Sequence, residues 1–216
     1  MLFFLDTADV TEVKALAETG MIDGITTNPS LAASSGIPFP QLIAQMCALV
    51  EGPVSAEVMA PDAATMVTQG RQLAKISKNV TIKVPLTVEG LKACQTLSHE
   101  EIMVNVTLCF SATQALLAAK AGAAFISPFI GRLDDISQSG MELIKDIRLI
   151  YDTYGFETAV LAASIRHPMH IVEAAKAGAD AATMPPKVLR QLYQHPLTDL
   201  GLENFLKDWN KSGLSI

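Results

Sequence analysis

One lysine set in an apolar run is the residue of this chain best placed to do chemistry. It is Lys83 in Val80-Thr81-Ile82-Lys83-Val84-Pro85, where β-branched residues predict a short buried strand and Pro85 stops it. An ammonium group in such a strand is costly unless it is paired or gives up its proton. Burial or a neighbouring cation lowers a lysine pKa, and the free amine can then attack a carbonyl and form a Schiff base. A lysine that snorkels to solvent from a strand end is the competing reading of Lys83 taken alone.

Its company favours chemistry. Asp6 closes the apolar run at the N-terminus, Glu57 is embedded in another, and Asn105 and Thr107 lie two apart in a third, so they share a face. Asn28 follows a short apolar run and Ser127 ends a later one; Arg132, Ser164 and Arg166 lie just beyond strand-like stretches. An amine nucleophile, carboxylates that carry protons, and hydroxyls and amides that hold oxygens are the parts imine chemistry needs. The two arginines with Ser164 offer planar cationic donors and a hydroxyl suited to a phosphate.

Such a constellation requires elements that bring distant residues to one rim. Apolar runs alternate with helix-period segments along nearly the whole chain, predicting strands over 3–5, 24–26, 54–58, 80–84, 102–107, 124–127, 158–162 and 181–184. Thr7 or Asp9, Asp62, Thr87 and Ser111 stand where helices should be capped, and Asn28-Pro29 opens a short extra helix or loop. Residues 131–135 read as a polar loop, and 138–154 as a long helix. The hexapeptide Ala-Ala-Lys-Ala-Gly-Ala occurs at 118–123 and again at 174–179, each copy leading into a short strand and a proline.

The pattern predicts an α/β fold: one domain over 1–216, a single (β/α)8 TIM barrel shorter than the usual size of about 250 residues. An extra C-terminal helix over 200–213 carries Leu202, Phe205, Leu206 and Trp209 at helical spacing, an apolar face for its own barrel or for a neighbour. In such barrels chemistry sits at the C-terminal ends of the strands, which is where all ten of the polar residues singled out here fall.

Composition narrows the function classes. Half of the 216 residues are hydrophobic and 18% are charged, enough apolar material for a large core and too little charge for a disordered chain. The net charge of −6 argues against nucleic acid as a partner but leaves room for a local cationic pocket. No apolar run approaches the ~20 residues that span a bilayer, so no membrane partner is expected. Residues 1–6 lack a basic leader and a cleavage pattern and read as a strand, not a signal. Three widely spaced cysteines give neither a disulfide framework nor a metal clip, which makes a cytoplasmic location the default. His167 and His170 flank Pro168 and read as a helix start, so no metal site is expected. Patterns for nucleotide hydrolysis, dinucleotide binding, serine hydrolysis and zinc peptidase chemistry are missing from the sequence.

Four segments carry a resemblance to a known family: Phe-Leu-Asp-Thr at 4–7, Gly-Ile-Thr-Thr-Asn-Pro-Ser at 24–30, Ile-Lys-Val-Pro at 82–85 and Asn-Val-Thr-Leu-Cys-Phe-Ser at 105–111. Together they resemble the small-subunit transaldolases and fructose-6-phosphate aldolases, class I aldolases, from residue 2 to the C-terminus. The resemblance implies Lys83 as the Schiff-base lysine, Asp6 as the acid/base for the hydroxyl proton, and Glu57 with Thr107 as holders of the water that makes and breaks the imine. It also implies Asn28, Asn105 and Ser127 around a dihydroxyacetone unit, and Arg132, Ser164 and Arg166 around phosphate.

Glu57 and Phe129 match the transaldolase side, where the aldolases carry glutamine and tyrosine. Asn105 and Ser127 lean the same way. The implied activity is transfer of a dihydroxyacetone unit between sugar phosphates in carbohydrate metabolism, within the pentose phosphate pathway, without metal or organic cofactor. The alternative is aldol cleavage that releases free dihydroxyacetone, and a barrel kept only for binding or assembly is the non-enzyme alternative. Small members of the family form homo-oligomers, pentamers or decamers, through the C-terminal helix.

Overall fold

The computed structural model describes residues 1–215. The apolar runs form β1 (Leu2–Asp6), β2 (Gly24–Thr26), β3 (Val54–Glu57), β4 (Val80–Pro85), β5 (Val104–Cys109), β6 (Phe125–Pro128), β7 (Ala159–Ala162) and β8 (Ala181–Met184). All pair in parallel and in sequence order, and β8 returns to β1 to close a barrel. Closure leaves no open sheet edge. The helices are α1 (Val10–Ala17), α2 (Pro29–Ser34), α3 (Phe39–Cys47), α4 (Ala63–Ala74), α5 (Val88–His99) and α6 (Ala112–Lys120) in the first part of the chain. They continue as α7 (Ile130–Asp134), α8 (Gly140–Tyr154), α9 (Pro168–Lys176), α10 (Pro186–Tyr193) and α11 (Pro196–Ser212). This is the expected single (β/α)8 barrel with an extra C-terminal helix.

Side chains of Asp9, Asp62, Thr87 and Ser111 accept backbone N–H groups at the starts of α1, α4, α5 and α6. Each such cap is worth about 1 kcal/mol. Gly155, at φ +66, ends α8 in the left-handed conformation that glycine adopts without strain.

Strand alternation separates two cores. On β4, Val80, Ile82 and Val84 join the outer core between barrel and helices, and on β5 Val104 and Val106 do the same. The opposite parity faces the barrel interior, where Phe4, Phe125, Leu161 and Ala181 form a separate apolar plug near the strand N-termini. The Phe4 and Phe125 rings meet edge to face at 5.9 Å. Gly24 makes room for that plug, since a Cβ there would stand 2.8 Å from the Phe4 ring. Two residues further along, the inward positions turn polar: Asp6, Thr26, Glu57, Lys83, Thr107, Ser127 and Thr183.

Most strand ends differ from the sequence reading by one or two residues, and three boundaries differ for a visible physical reason. Residues 131–135, read as a polar loop, fall mostly within α7, because Ile130 and Leu133 are buried and the Ile130 N–H is bound by Ala163 O at 3.1 Å. Strand β5 continues past Thr107 to Cys109 through a register shift. The last helix starts at Pro196 rather than 200, with Pro196 in its first turn and His195 accepting the Leu197 N–H. None of the residues of α11 is buried; Leu202, Phe205, Leu206 and Trp209 are 58%, 75%, 54% and 43% exposed. The helix does not fold its apolar face onto its own barrel.

Candidate active site

Parallel register sets Glu57 beside Lys83 and Lys83 beside Asn105 on three consecutive strands. Lys83 is only 6% exposed, and its charge is met twice: Nζ lies 2.9 Å from Glu57 Oε2 and donates to Thr27 O at 3.0 Å. Pairing therefore resolves the cost of a lysine in a buried strand.

Asp6 ends β1 and accepts a hydrogen bond from Thr26 Oγ1 at 2.9 Å; Thr26 in turn shares a 2.6 Å hydrogen bond with Thr183. Burial pushes the Asp6 carboxyl above its ordinary value. The Thr26 hydrogen bond and the Lys83 charge pull it back down, while Glu57 adds a smaller upward push. A carboxyl with a raised pKa beside an amine is suited to exchanging protons.

Thr107 Oγ1 is buried and has no hydrogen-bond partner among the described residues. Its strand is bulged here, with Leu108 at φ +62, an uncommon conformation for a residue other than glycine. Bulges re-aim side chains near functional sites, and an unpaired buried hydroxyl on a cavity wall is a seat for a polar guest.

Asn105 is fully buried, and its amide is spent within the wall: Nδ2 donates to Ser55 Oγ at 3.1 Å and Oδ1 accepts from Ser127 Oγ at 2.7 Å. Asn28 caps α2 by accepting the Leu31 N–H at 3.0 Å.

The arginines stand where β6 and β7 end. Arg132 lies 4.9 Å over the Phe129 ring, a cation–π contact that fixes the guanidinium. Phe129 in turn meets Phe110 edge to face at 5.8 Å. Arg166 pairs with Asp135 at 2.8 Å, and Ser164 sits between the two arginine-bearing segments at φ +61. Gly131 lets those segments touch: a Cβ there would come within 2.1 Å of Ser164 O and 2.9 Å of the Arg166 side chain.

A cavity of about 490 Å³ joins the lysine to the arginines. Of the residues expected to form the site, Asp6, Asn28, Glu57, Lys83, Thr107, Ser127, Phe129, Arg132, Ser164 and Arg166 all line it, and Asn105 does not. Sequence reasoning missed Thr26 and Thr183, which buttress Asp6, because threonine is an ordinary strand residue. It also missed Asp135, although an acidic pair next to Arg132 was visible. The His167 and His170 rings meet at a tilt of 50° with a centroid distance of 3.8 Å, and no metal-holding group of side chains occurs among the described residues. Nor is any helix among them long and apolar enough to cross a membrane.

Comparison with known proteins identifies the family. The family model described as Transaldolase/Fructose-6-phosphate aldolase matches residues 3–216. The chain belongs to the transaldolase/fructose-6-phosphate aldolase family. Among its relatives, a probable transaldolase of Hyphomonas neptunium is 64% identical over 216 residues, with both chains covered completely. Probable transaldolases of Parvibaculum lavamentivorans and Rhodospirillum centenum are 63% and 62% identical, each over all of this chain and over 100% and 94% of the relative. The match to the transaldolase/aldolase family takes in every strand of the barrel, and so every element that supplies a side chain to the cavity.

Proposed function

We propose that the protein is a transaldolase. It would transfer a dihydroxyacetone unit from sedoheptulose 7-phosphate or fructose 6-phosphate to glyceraldehyde 3-phosphate or erythrose 4-phosphate, through a Schiff base on Lys83. The observation that carries this reading is the buried Lys83–Glu57 pair at 2.9 Å, which shares one cavity with Asp6, Arg132 and Arg166. Glu57 is placed to take the lysine proton, so that the amine can add to the ketose carbonyl carbon; loss of water then gives the iminium. Thr107 and Glu57 hold that water.

Asp6, as carboxylate, takes the proton from the hydroxyl on the far carbon of the bond to be cut, the carbon that becomes the aldehyde. The carbon–carbon bond breaks, its electrons move into the iminium to form an enamine, and the aldose phosphate departs. The acceptor aldehyde then takes up the enamine carbon, Asp6 returns the proton to its oxygen, and hydrolysis frees the ketose. Phe129 has no hydroxyl with which to protonate the enamine and end the cycle early. Arg132, Arg166 and Ser164 hold the phosphate, with Asn28 and Ser127 around the dihydroxyacetone part. The reading requires no metal or organic cofactor.

Fructose 6-phosphate incubated with and without erythrose 4-phosphate tests the proposal. Glyceraldehyde 3-phosphate should accumulate beyond one equivalent of enzyme only with the acceptor present, and dihydroxyacetone should stay at background. Steady dihydroxyacetone release without acceptor would make the protein an aldolase instead.

The proposal extends to assembly: the uncovered apolar face of α11 meets a second copy of the chain in a homo-oligomer. Deleting 201–216 should shift the protein to smaller species in light scattering, and unchanged particle size would place the interface elsewhere.

A further inference from the structure

The two segments that carry the arginines are joined by a side chain that lies outside the cavity. His170, in the first turn of α9, is 6% exposed. Its Nδ1 accepts the backbone N–H of Arg166 at 3.3 Å, and its Nε2 stands 3.1 Å from Asp134 Oδ2. Asp134 is the last residue of α7, the helix that carries Arg132, and its other oxygen accepts the Gly140 N–H at 2.9 Å. A backbone N–H can only donate, so Nδ1 must be the accepting nitrogen and Nε2 the one that bears hydrogen toward the carboxylate. Burial and the neighbouring His167 hold the imidazole below its ordinary pKa, against the upward pull of Asp134 and Glu173. That favours the neutral ring which this two-sided contact needs.

We propose that His170 is a positioning residue for phosphate recognition: it ties the Arg166 backbone to the end of the Arg132 helix, so that both guanidinium groups face one phosphate at a fixed spacing. The inference rests on the reading of Arg132, Ser164 and Arg166 as the phosphate site. The surroundings show why a tie is needed. Arg166 is half exposed and already paired with Asp135, and Ser164 holds a left-handed backbone. Gly131 brings the α7 backbone against Ser164 O with no space to spare. The Ile130 N–H bond to Ala163 O ties the segments only at the start of α7 and the Arg166–Asp135 pair is exposed, so His170 adds a buried tie from the Arg166 backbone to the end of that helix.

The test compares KM and kcat for glyceraldehyde 3-phosphate and for unphosphorylated glyceraldehyde as acceptors, at saturating sedoheptulose 7-phosphate, reading the erythrose 4-phosphate released. His170→Phe keeps a ring but removes both contacts; it should raise KM for the phosphorylated acceptor at least about fivefold, the worth of one hydrogen bond. It should leave kcat, and both constants for glyceraldehyde, within about twofold, less than half of one such bond. His170→Asn keeps an acceptor near the Nδ1 position and should recover most of the loss, whereas His170→Gln, whose polar atoms lie further out, should recover less.

Arg166→Ala serves as the companion. If it fails to discriminate between the two acceptors, the phosphate-site reading falls and this inference with it. If Arg166→Ala discriminates and His170→Phe does not, the positioning role alone is overturned. Equal losses with both acceptors would also overturn it. Should His170→Phe fail to fold, the Asn and Gln variants decide, and equal KM values in the two would refute the role.

Discussion

The lysine end of the cavity is held by strands, and the arginine end by segments that hold each other. Glu57, Lys83 and Asn105 are neighbours because β3, β4 and β5 are in register, and the ladder that positions them also supports the barrel. Arg132 and Arg166 owe their places to a cation–π contact, an ion pair with Asp135 and a glycine that permits close approach. On the proposed reading the first arrangement fixes atoms that form and break bonds, where an error of about 1 Å is costly. On the proposed reading the second would grip a phosphate that keeps the same bonds throughout, so it could yield more without stopping the reaction.

The widest separation between the two ends should appear in substitutions of their cations. Lys83→Arg keeps the charge but not the neutral amine, and turnover should fall by about 10³-fold or more. Arg166→Ala should instead raise KM for sugar phosphates by roughly 10- to 100-fold, the worth of a charge-assisted hydrogen bond, with kcat changed little. Steady-state kinetics on both variants checks this. A large fall in kcat for Arg166→Ala would erase the distinction.

The lysine end was the more legible in sequence because strand periodicity exposes it. A lysine among β-branched residues, a carboxylate in a strand, and Asn105 and Thr107 two apart are deviations from an alternating pattern, and that alternation by itself assigns each to the inner face. The arginine end has no such pattern. Gly131-Arg132-Leu133-Asp134-Asp135 reads as a polar loop, and only the burial of Ile130 and Leu133 against the barrel makes it a helix. His170 looks like a residue of a helix start until the fold sets Asp134 and the Arg166 N–H on its two sides. The bulge at Leu108 carries no glycine to announce it, and Asn105 could be placed on the inner face without revealing that its amide is spent on Ser55 and Ser127.

A smaller effect separates the groups within the lysine end. Thr26→Val keeps the shape but removes the hydrogen bond that lowers the Asp6 pKa, so that pKa should rise further. Asp6 must be ionised to accept the hydroxyl proton, so the acid limb of the kcat/KM profile should move to higher pH, while the arginine end is untouched. The same sign governs stability. A carboxyl with a raised folded-state pKa favours the fold most below its unfolded pKa and loses that contribution as pH rises through the folded value. The variant should therefore lose stability over a window that reaches to higher pH than in the parent. A pH profile that does not move would separate Asp6 from the rate-limiting proton transfer.

Phe129→Tyr tests the boundary between the ends, since Phe129 lines the cavity and also carries Arg132. The added phenol should raise dihydroxyacetone release relative to transfer, with a modest rise in the KM of phosphorylated acceptors. An unchanged product ratio would confine Phe129 to supporting the arginine.

The central claim is that Lys83 bonds to the substrate, and borohydride trapping measures it most directly. Treating the protein with fructose 6-phosphate and borohydride, then mapping the modified peptide by mass spectrometry, should find a reduced dihydroxyacetone or hexose phosphate adduct on Lys83, together with loss of activity. An adduct on a different lysine, or full activity after trapping with Lys83 unmodified, would contradict the account.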